Sequence, residues 1–286
     1  MMLDLAFCDG SVRPVAECAV SVLDRTVQWG LGAFETVRLH GGRPFLLDRH
    51  LQRLGRSLGL MGLPVPPGVS QVPAGVVELA RRADAPSALV RIMVTAGAAP
   101  EVAGPGARVV ALLRPVSPPD RRPIVVGVAP FTRDARSPLA GVKSLSYLGH
   151  YLQRERAERA GRLDDLLVDN EDCVTEGTVS SAFGVRGGRL VTPPISAGIL
   201  PGVTRGVVLE LAAALGLAVD ERPLPVAELP QLDEFFLTGA GKCLVAADVL
   251  DGRSLPAARP VSEALRVALR SRIARECRVP EESVRF

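Results

Sequence analysis

The chain contains 286 residues, and 47% of them are hydrophobic, so it can bury a substantial core as one large domain or two of medium size. Its 34 basic and 31 acidic residues are scattered along the whole sequence and give a net charge of +3 without any block of like charge. With one Trp, two Tyr and eight Phe it also has few rings to stack on bases, which argues against a nucleic-acid partner.

Export and metal binding find little support in the sequence. The opening stretch MMLDLAFCDGSV lacks the basic region and the apolar run of a signal peptide, and no later run approaches the roughly 20 apolar residues of a membrane span. The five cysteines are widely spaced without a C-x-x-C pair, and the three histidines show no ligand spacing. We therefore expect a cytoplasmic protein with no membrane partner, no bound metal, and reduced thiols that are mostly buried.

The first half begins with strands and then changes to a helical pattern. Residues 33–47 read as two strands around the turn sequence HGGR, which is typical of a hairpin. From Leu47 to Leu58, leucines recur at helical spacing and predict an amphipathic helix that carries Arg53. The other elements predicted in this half are a helix at 76–83 and strands at 89–95 and 107–113.

A proline-rich stretch separates the two halves. The sequence RPVSPPDRRP is the best linker candidate, so we predict an N-terminal α+β domain at 1–116, a linker at 117–123 and a C-terminal α+β domain at 124–286. Hairpins and helices are mixed without strict β-α alternation, which indicates the α+β fold class with two domains.

The second half also mixes strands and helices. A helix predicted at 144–161 places Lys143 just ahead of its first turn. The dipeptide PG at 201–202 introduces an apolar helix at 203–215. The other elements predicted here are strands at 124–128, 165–169, 182–185, 189–192 and 234–238 and a closing helix at 261–276.

Lysine is rare in this chain, which uses arginine heavily. Only Lys143 and Lys242 are present, so each invites a role that the permanently charged arginine cannot fill, such as deprotonation. Lys143 also lies in the apolar, glycine-containing stretch SPLAGVKSLSYLG, where desolvation would lower its pKa. A solvated surface lysine is the alternative interpretation.

Two further stretches offer polar groups to a ligand. In ISAGILPGVTRG, the amides of Val203 and Thr204 and a hydroxyl open a helix, which favours an anion, although an ordinary helix start has the same pattern. Glu176, in VTEG, taken alone is a turn carboxylate between two strands. An amine, a carboxylate and a set of phosphate donors are what an enzyme of pyridoxal phosphate (PLP) requires.

Together, in this order and spacing, these residues resemble the class IV aminotransferase family, the fold-type IV PLP enzymes. The family includes branched-chain and D-amino-acid aminotransferases and aminodeoxychorismate lyase. The matching stretches cover most of the chain and are found at 24–39, 44–54, 137–148, 174–183, 192–205 and 233–241. The resemblance implies two α+β domains like those of D-amino-acid aminotransferase, with PLP between them, in a homodimer whose partner subunit helps to close the active site.

The resemblance also assigns residues to the cofactor. It implies that Lys143 carries PLP as a Schiff base and that Glu176 pairs with the pyridine nitrogen. Arg53 matches the phosphate-binding arginine of the family. Tyr147 matches a tyrosine that in some members bonds the phenolic oxygen of PLP.

The phosphate site that the family has at a helix terminus matches Thr204 and the amide of Val203. Ala240 stands where the aminotransferases often have a phosphate-binding threonine, so that contact would come from backbone amides around Gly239 and Ala240. Ser181, in VTEGTVSSAF, replaces an asparagine that is common in the family, which leaves the local hydrogen bonding open.

Within the family, the chain looks most like the shorter bacterial aminodeoxychorismate lyases. Thr36 stands where those lyases have a threonine that assists proton transfer and branched-chain aminotransferases usually have glycine; a strand residue packed in the core is the alternative. Ala96 stands where D-amino-acid aminotransferases have an arginine for the α-carboxylate, and Ala240 also matches the lyase pattern. Arg38 and Arg91 are secondary candidates for binding a substrate carboxylate.

The resemblance thus implies cleavage of 4-amino-4-deoxychorismate into 4-aminobenzoate and pyruvate, for folate biosynthesis or a specialised pathway, with Lys143 and Thr36 as catalytic residues. The alternative is a PLP-dependent aminotransferase for branched-chain or D-amino acids, in which the same lysine moves a proton. A catalytically silent homologue is a third possibility, against which the retention of both Lys143 and Glu176 argues.

Overall fold

The computed structural model describes residues 4–102, 104–116 and 123–285. These residues form two compact units: the first holds 4–116, Val142–Tyr147 and Ile273–Val284, and the second holds 123–141, Leu148–Arg272 and Arg285. Of the predicted linker at 117–123, residues 117–122 lie outside the described residues. The domain boundaries at 1–116 and 124–286 stay a prediction, to which the structure adds two later segments that group with the first unit.

One antiparallel sheet and its helices make up most of the first unit. Its elements in chain order are β1 (Leu5–Cys8), β2 (Ser11–Pro14), α1 (Arg25–Trp29), β3 (Gly32–His40), β4 (Arg43–Pro44), α2 (Leu47–Leu60), α3 (Val72–Arg82), β5 (Ser87–Thr95) and β6 (Val109–Pro115). The strand order is β2-β1-β6-β5-β3-β4, and every neighbouring pair is antiparallel. The predicted hairpin, the two helices and both later strands are confirmed, although α3 begins earlier than expected.

Two glycines close the hairpin between β3 and β4. Gly41 and Gly42 have φ values of 58° and 75°, a region that glycine enters without steric cost. Helix α2 then packs Leu54 into a core that also contains Val37 of β3 and Val76 of α3. One face of the sheet is therefore covered by α2 and α3.

The side chains of β3 alternate between the two faces of this sheet. Ala33 and Val37 belong to the apolar core with the helices. Because successive side chains of a strand point to opposite faces, Phe34, Thr36 and Arg38 lie on the other face. This alternation separates a packed face from a face that is rich in functional groups.

A short segment from later in the chain, Val142–Tyr147, extends the first unit beside β3. Ser144 forms an isolated antiparallel bridge with Ala33, so the backbone around Lys143 runs extended along the strand. The prediction of a helix from residue 144 is wrong at its start, because that helix begins at Leu148. Lys143 is therefore held by strand pairing and does not lie just ahead of a helix.

The second unit is built on two mixed sheets. The elements that follow in chain order are β7 (Val125–Thr132), α4 (Leu148–Arg159), β8 (Asp164–Val168), β9 (Cys173–Gly177), β10 (Ser181–Arg186), β11 (Arg189–Thr192), α5 (Val203–Ala214), β12 (Val219–Glu221), β13 (Leu224–Pro225), β14 (Glu234–Gly239), β15 (Cys243–Ala246), β16 (Val249–Leu250), β17 (Arg253–Ser254) and α6 (Pro260–Cys277). The strand orders are β12-β11-β10-β14-β15 and β13-β9-β8-β7-β16-β17. The pairs β7–β8, β7–β16 and β11–β12 are parallel, and the other pairs are antiparallel.

The two sheets of the second unit share an apolar core. Val126 and Leu166 from one sheet and Phe235 and Leu237 from the other belong to the same buried cluster. Strand β9, which was not predicted, contains Glu176. The interpretation of Glu176 as a turn carboxylate is therefore wrong. Mixed strands together with helices confirm the α+β fold class.

The cysteines are free thiols, and four of the five are buried, in agreement with the sequence. Among the helices of the described ranges, none is long and apolar enough to cross a membrane. In the same part of the chain, no group of three or more His, Cys, Asp or Glu side chains is placed to hold a metal ion.

Candidate active site

Lys143 is a half-buried amine beside β3. Its amide donates to Ser57 Oγ on α2 (3.2 Å), and its carbonyl oxygen accepts from the amide of Phe34 (3.0 Å). Nζ lies 4.5 Å from the centre of the Phe34 ring and 5.9 Å from that of Tyr147. The two rings meet edge to face at 5.1 Å, so an aromatic pair lies next to the amine.

The surroundings of Lys143 favour its neutral form. Burial lowers its pKa to about 8; the carboxylate of Glu35 opposes this effect, and the charges of Arg53 and Arg91 add to it. Compared with an ordinary lysine, the neutral amine is then about 300 times more abundant at neutral pH. A neutral amine is the form that attacks a carbonyl carbon. The lowered pKa expected from the apolar sequence context is confirmed.

Arg53 is held by a buried network between α2 and β3. Its Nε and Nη2 both donate to the carboxylate of Glu35 at 2.7 Å, and Nδ1 of His50 lies 2.7 Å from the same carboxylate. Burial alone would raise the pKa of Glu35, but the hydrogen bonds from Arg53 and His50 lower it to about 2. Burial lowers the pKa of His50, which makes it a neutral ring that donates its Nδ1–H. The guanidinium of Arg53 is thereby fixed in one orientation.

Glu35 and His50 were not among the residues predicted for the site. The signal was nevertheless present in the strand FETVRL, where Glu35 falls between Ala33 and Val37 on the face that packs against the helices. A carboxylate at such a position needs a buried partner. Arg53, predicted as a phosphate ligand, commits two of its nitrogens to this carboxylate.

Arg91 lies on the face of the sheet away from α2 and α3, directly opposite Thr36 in the pairing of β3 with β5. Its guanidinium stacks on Phe34, with Cζ 3.8 Å from the ring centre. Burial lowers the pKa of Arg91, and the charge of Arg114 on the same face adds to the effect. Neither a carboxylate nor a hydrogen-bond partner is found for Arg91 in the described part of the chain. A half-buried cation in this state is suited to bind a carboxylate.

Thr36 and Arg38 of β3 lie on the same face of the sheet as Arg91. Thr36 is half-buried and, by the alternation of side chains along β3, points away from the core under α2. Arg38 is buried two residues further along β3, beside the buried His40. Burial, and then the charge of Arg38, lower the pKa of His40 to about 4. The described contacts of Arg91 thus connect it to the Lys143 cluster, whereas those of Arg38 connect it to His40.

Glu176 is a buried carboxylate in the second unit. One of its oxygens pairs with the guanidinium of Arg133, and Oε2 accepts from the amide of Leu200 (3.1 Å). A carboxylate oxygen carries two lone pairs, so these contacts leave room for a protonated ring nitrogen. Arg133 was missed, and its place in FTRDARS gave no signal that it would meet Glu176.

The N-terminus of α5 has the character of an anion site. The helix begins at Val203 after Gly202, and among the described residues no side chain caps its first amides. Ser181 Oγ is so near to Gly202 that a Cβ on this glycine would lie 2.7 Å from it. Ser181 also pairs with Thr238 on the neighbouring strand. Thr238 Oγ1 is buried and has no hydrogen-bond partner within the part of the chain that the structure describes. These amides and hydroxyls fit a phosphate group, for which an orphaned buried hydroxyl is a natural donor.

Three other residues predicted around the phosphate belong to the same unit as this helix terminus. Thr204 is buried in the first turn of α5. Gly239 ends β14 directly after Thr238, and Ala240 follows it; both are half-buried. The side chain of Ser181 lies beside Gly202, at the start of α5.

Comparison with known proteins identifies the family to which these features belong. Residues 32–248 match the family model described as amino-transferase class IV. A putative branched-chain-amino-acid aminotransferase of Methanocaldococcus jannaschii is 33% identical over 86% of this chain and 88% of its own length. A D-alanine aminotransferase of Bacillus licheniformis is 29% identical over 94% of this chain and 96% of its own. An aminodeoxychorismate lyase of Bacillus subtilis is 26% identical over 82% and 83%.

The fold is found again among solved structures. A branched-chain aminotransferase from Thermoproteus uzoniensis, crystallised with norvaline, superposes with a TM-score of 0.83 at 27% identity. The match covers 93% of this chain and 94% of that one. Family and fold thus agree over nearly the whole length.

Proposed function

Because the chain belongs to the class IV aminotransferase family, we propose that it is a PLP-dependent 4-amino-4-deoxychorismate lyase that releases 4-aminobenzoate and pyruvate. The observation that carries this proposal is the position of Thr36. Its side chain leaves the packed core and lies opposite Arg91, on the same face as the Phe34 ring that contacts Lys143. A hydroxyl, a cation and a neutral amine are thereby available for proton transfer and for a carboxylate.

The residues of the chain fit PLP as its cofactor. Lys143 would form the covalent bond, Glu176 would hold the ring nitrogen, and Tyr147 the phenolic oxygen. The phosphate donors that we expect are Arg53 in the first unit and, in the second unit, Val203, Thr204, Gly239 and Ala240. When bound, PLP supplies an electron sink for the electron pair left on a substrate that loses a proton.

Each catalytic role falls to a side chain with suitable chemistry. The neutral Nζ of Lys143 would accept the ring proton whose loss leads to the aromatic product. The hydroxyl of Thr36 would pass a proton to the departing enolpyruvyl group. Arg91 would hold one substrate carboxylate. The substrate contains all the atoms of the two products, so this reaction needs no second substrate.

An aminotransferase for branched-chain or D-amino acids is the second candidate. The curated relatives at 33% and 29% identity carry those names, which favours it. Lys143 and Glu176 would keep their roles, and Arg91 would bind a carboxylate of the amino or keto acid. The two reactions differ in one requirement, because a transaminase turns over only when a keto acid accepts the amino group.

We further propose that the chain acts as a homodimer. Val22, Val27 and Trp29 are exposed apolar residues within and just before α1, and Trp29 is 74% exposed. Apolar side chains exposed in such a group mark interaction surfaces. Light scattering is expected to give twice the mass of the chain, and Trp29→Asp to shift the protein to monomers. A monomeric wild-type protein would contradict this proposal.

The deciding experiment compares both reactions on the same PLP-loaded sample. Enzymatically generated aminodeoxychorismate is supplied without a keto acid, and pyruvate and 4-aminobenzoate are quantified. In parallel, L- and D-amino acids are supplied with 2-oxoglutarate. Equal amounts of the two lyase products would establish the lyase activity. Amino-group exchange without pyruvate release would replace the proposal by the second candidate.

A further inference from the structure

We propose that Asp164 is a positioning residue, which holds the turn after Glu176 and through it the groups that bind the cofactor. This inference rests on the proposed PLP function and assigns a role to a residue outside the site described above. Asp164 touches neither the catalytic lysine nor the helix terminus in the described contacts. It acts through the residues that it holds.

The carboxylate of Asp164 is completely buried and saturated with donors. Oδ1 accepts from the amide of Asp165 (3.0 Å) and from both the amide (2.9 Å) and the hydroxyl (2.5 Å) of Thr178. Oδ2 accepts from the hydroxyl of Ser180 (2.6 Å). Three of these four donors belong to the turn that joins β9 to β10. Burying a carboxylate costs free energy, and the hydrogen bonds offset this cost only while the turn keeps the shape that presents its donors.

The turn is packed tightly around this carboxylate. The amide of Gly177 donates to the carbonyl oxygen of Ser180 (2.7 Å) and closes the turn. A Cβ on Gly177 would meet Ser180 Oγ at 2.2 Å and Asp164 Oδ2 at 2.7 Å. Glycine is therefore required next to Glu176, because any larger residue would push the turn away from Asp164.

The strand pairing around Glu176 is irregular. In the β8–β9 ladder, Leu166 pairs with Gly177 and Val168 with Val174, and the register shifts between these two pairs. Glu176 lies within this irregular stretch. A register shift locally disrupts the ladder, so the side-chain bonds from Asp164 to the following turn supply the missing restraint.

The same turn also supports the proposed phosphate donors. A Cβ on Gly239 would lie 3.3 Å from the carbonyl oxygen of Val179, so the end of β14 rests against the turn. Ser181, the residue after the turn, contacts the start of α5 at Gly202. One carboxylate thus fixes both the strand end that presents Glu176 and the two chain segments around the anion site.

Lys242, the second lysine of the chain, lies next to the residue that precedes Asp164. Its Nζ donates to the carbonyl oxygen of Leu163 (3.1 Å), the residue before Asp164. Burial lowers the pKa of Lys242, and the charge of Asp164 opposes this effect. The buried carboxylate therefore has a cation nearby in addition to its four hydrogen bonds.

The test replaces Asp164 with Asn and compares it with a matched control. Asp165→Asn changes the neighbouring carboxylate, which is equally buried but pairs with Arg162 (2.6 and 2.9 Å) and has no described contact with the turn. PLP is titrated into the apo-proteins, and the circular dichroism of the bound cofactor is recorded at saturation. We expect Asp164→Asn to raise the dissociation constant of PLP by about tenfold and to change the cofactor signal, since charge-assisted hydrogen bonds are lost. Asp165→Asn should change neither by more than about twofold.

The outcomes separate this inference from the proposed function. If the wild type binds no PLP, the proposed function fails and this inference with it. If the wild type binds PLP and Asp164→Asn binds it equally well, or if both variants weaken it equally, the inference alone is overturned. Should Asp164→Asn not fold, Thr178→Val and Ser180→Ala replace it, and several-fold weaker PLP binding by both is the expected result. Unchanged binding in both would overturn the inference.

Discussion

Replacing Glu35 with Gln tests whether the buried network around Arg53 stabilises the fold. The pKa of Glu35 is lowered from 4.5 to about 2, despite complete burial of its side chain. At about 1.4 kcal/mol for each pKa unit, the ionised carboxylate contributes about 3 kcal/mol to the free energy of unfolding near neutral pH. Gln keeps the size of the side chain but removes the charge that Arg53 and His50 are bonded to. We expect Glu35→Gln to lower the free energy of unfolding by about 3 kcal/mol.

The same pKa predicts how this loss depends on pH. The folded protein binds the proton on Glu35 less tightly than the unfolded chain, so the stabilisation is fully present above pH 4.5 and is lost as pH falls towards about 2. The difference between wild type and variant should therefore shrink over that range. Other titrating groups are shared by both proteins and cancel in the difference.

Urea unfolding of the apo-proteins, followed by circular dichroism at several pH values, provides the measurement. Glu78→Gln is the matched control, because Glu78 pairs with Arg81 on the exposed surface of α3 and should contribute little. The reasoning would be refuted by a loss below about 1 kcal/mol for Glu35→Gln at neutral pH, or by a difference that does not change on acidification.

Four further predictions concern the site and its surroundings. Arg91→Met should raise KM for a carboxylate substrate by about tenfold with a smaller effect on kcat, as steady-state kinetics will show; an unchanged KM would remove Arg91 from the substrate site. Thr36→Val should lower kcat by about 100-fold at constant KM, and an unaltered rate would end its proposed role in proton transfer. Borohydride reduction of the PLP-loaded protein, followed by peptide mass spectrometry, should label Lys143; a label on Lys242 would contradict the proposed site. His40 is buried with its pKa lowered from 6.5 to about 4, so the unfolded chain binds its proton more tightly. As pH falls through that range, protonation of His40 should lower the free energy of unfolding by about 3 kcal/mol. This pH dependence should disappear in His40→Leu. If it persists in the variant, it belongs to other groups.

The elements that were predicted correctly are those with local signals. The leucine spacing of α2 and the glycine pair between β3 and β4 depend on neighbours within a few residues, so the sequence is sufficient to recognise them. The same holds for α5, where proline and glycine precede an apolar run. In these cases tertiary structure reinforces a preference that the segment already has.

The errors occur where distant segments decide the conformation. Residues around Lys143 pair with β3, more than a hundred residues earlier, and this pairing overrides the helical pattern that continues from Ser144. Strand β9 contains Glu176 and Gly177, which are unusual in strands, and it exists because β8 and β13 pair with it. Because these partners are distant in the sequence, a local sequence pattern does not reveal them.

The missed site residues have the same cause. Glu35 meets His50 and Arg53 across fifteen and eighteen positions, on different elements. Arg133 meets Glu176 across forty-three positions. In each case the sequence shows a charged residue, whereas its partner becomes visible only when strands and helices are packed.

The charges around Lys143 couple its proton to the binding of a carboxylate. The cation of Arg91 contributes to the low pKa of Lys143, whereas Glu35 opposes it and is itself bonded to Arg53. Because Arg91 has no carboxylate partner among the described residues, an anion bound there would cancel a charge that now disfavours protonated Lys143. Without a bound anion the pKa of Lys143 thus stays low, and a carboxylate bound at Arg91 would raise the proton affinity of the Lys143 amine. An enzyme whose lysine must first act as a nucleophile and then hold a proton needs this order of events.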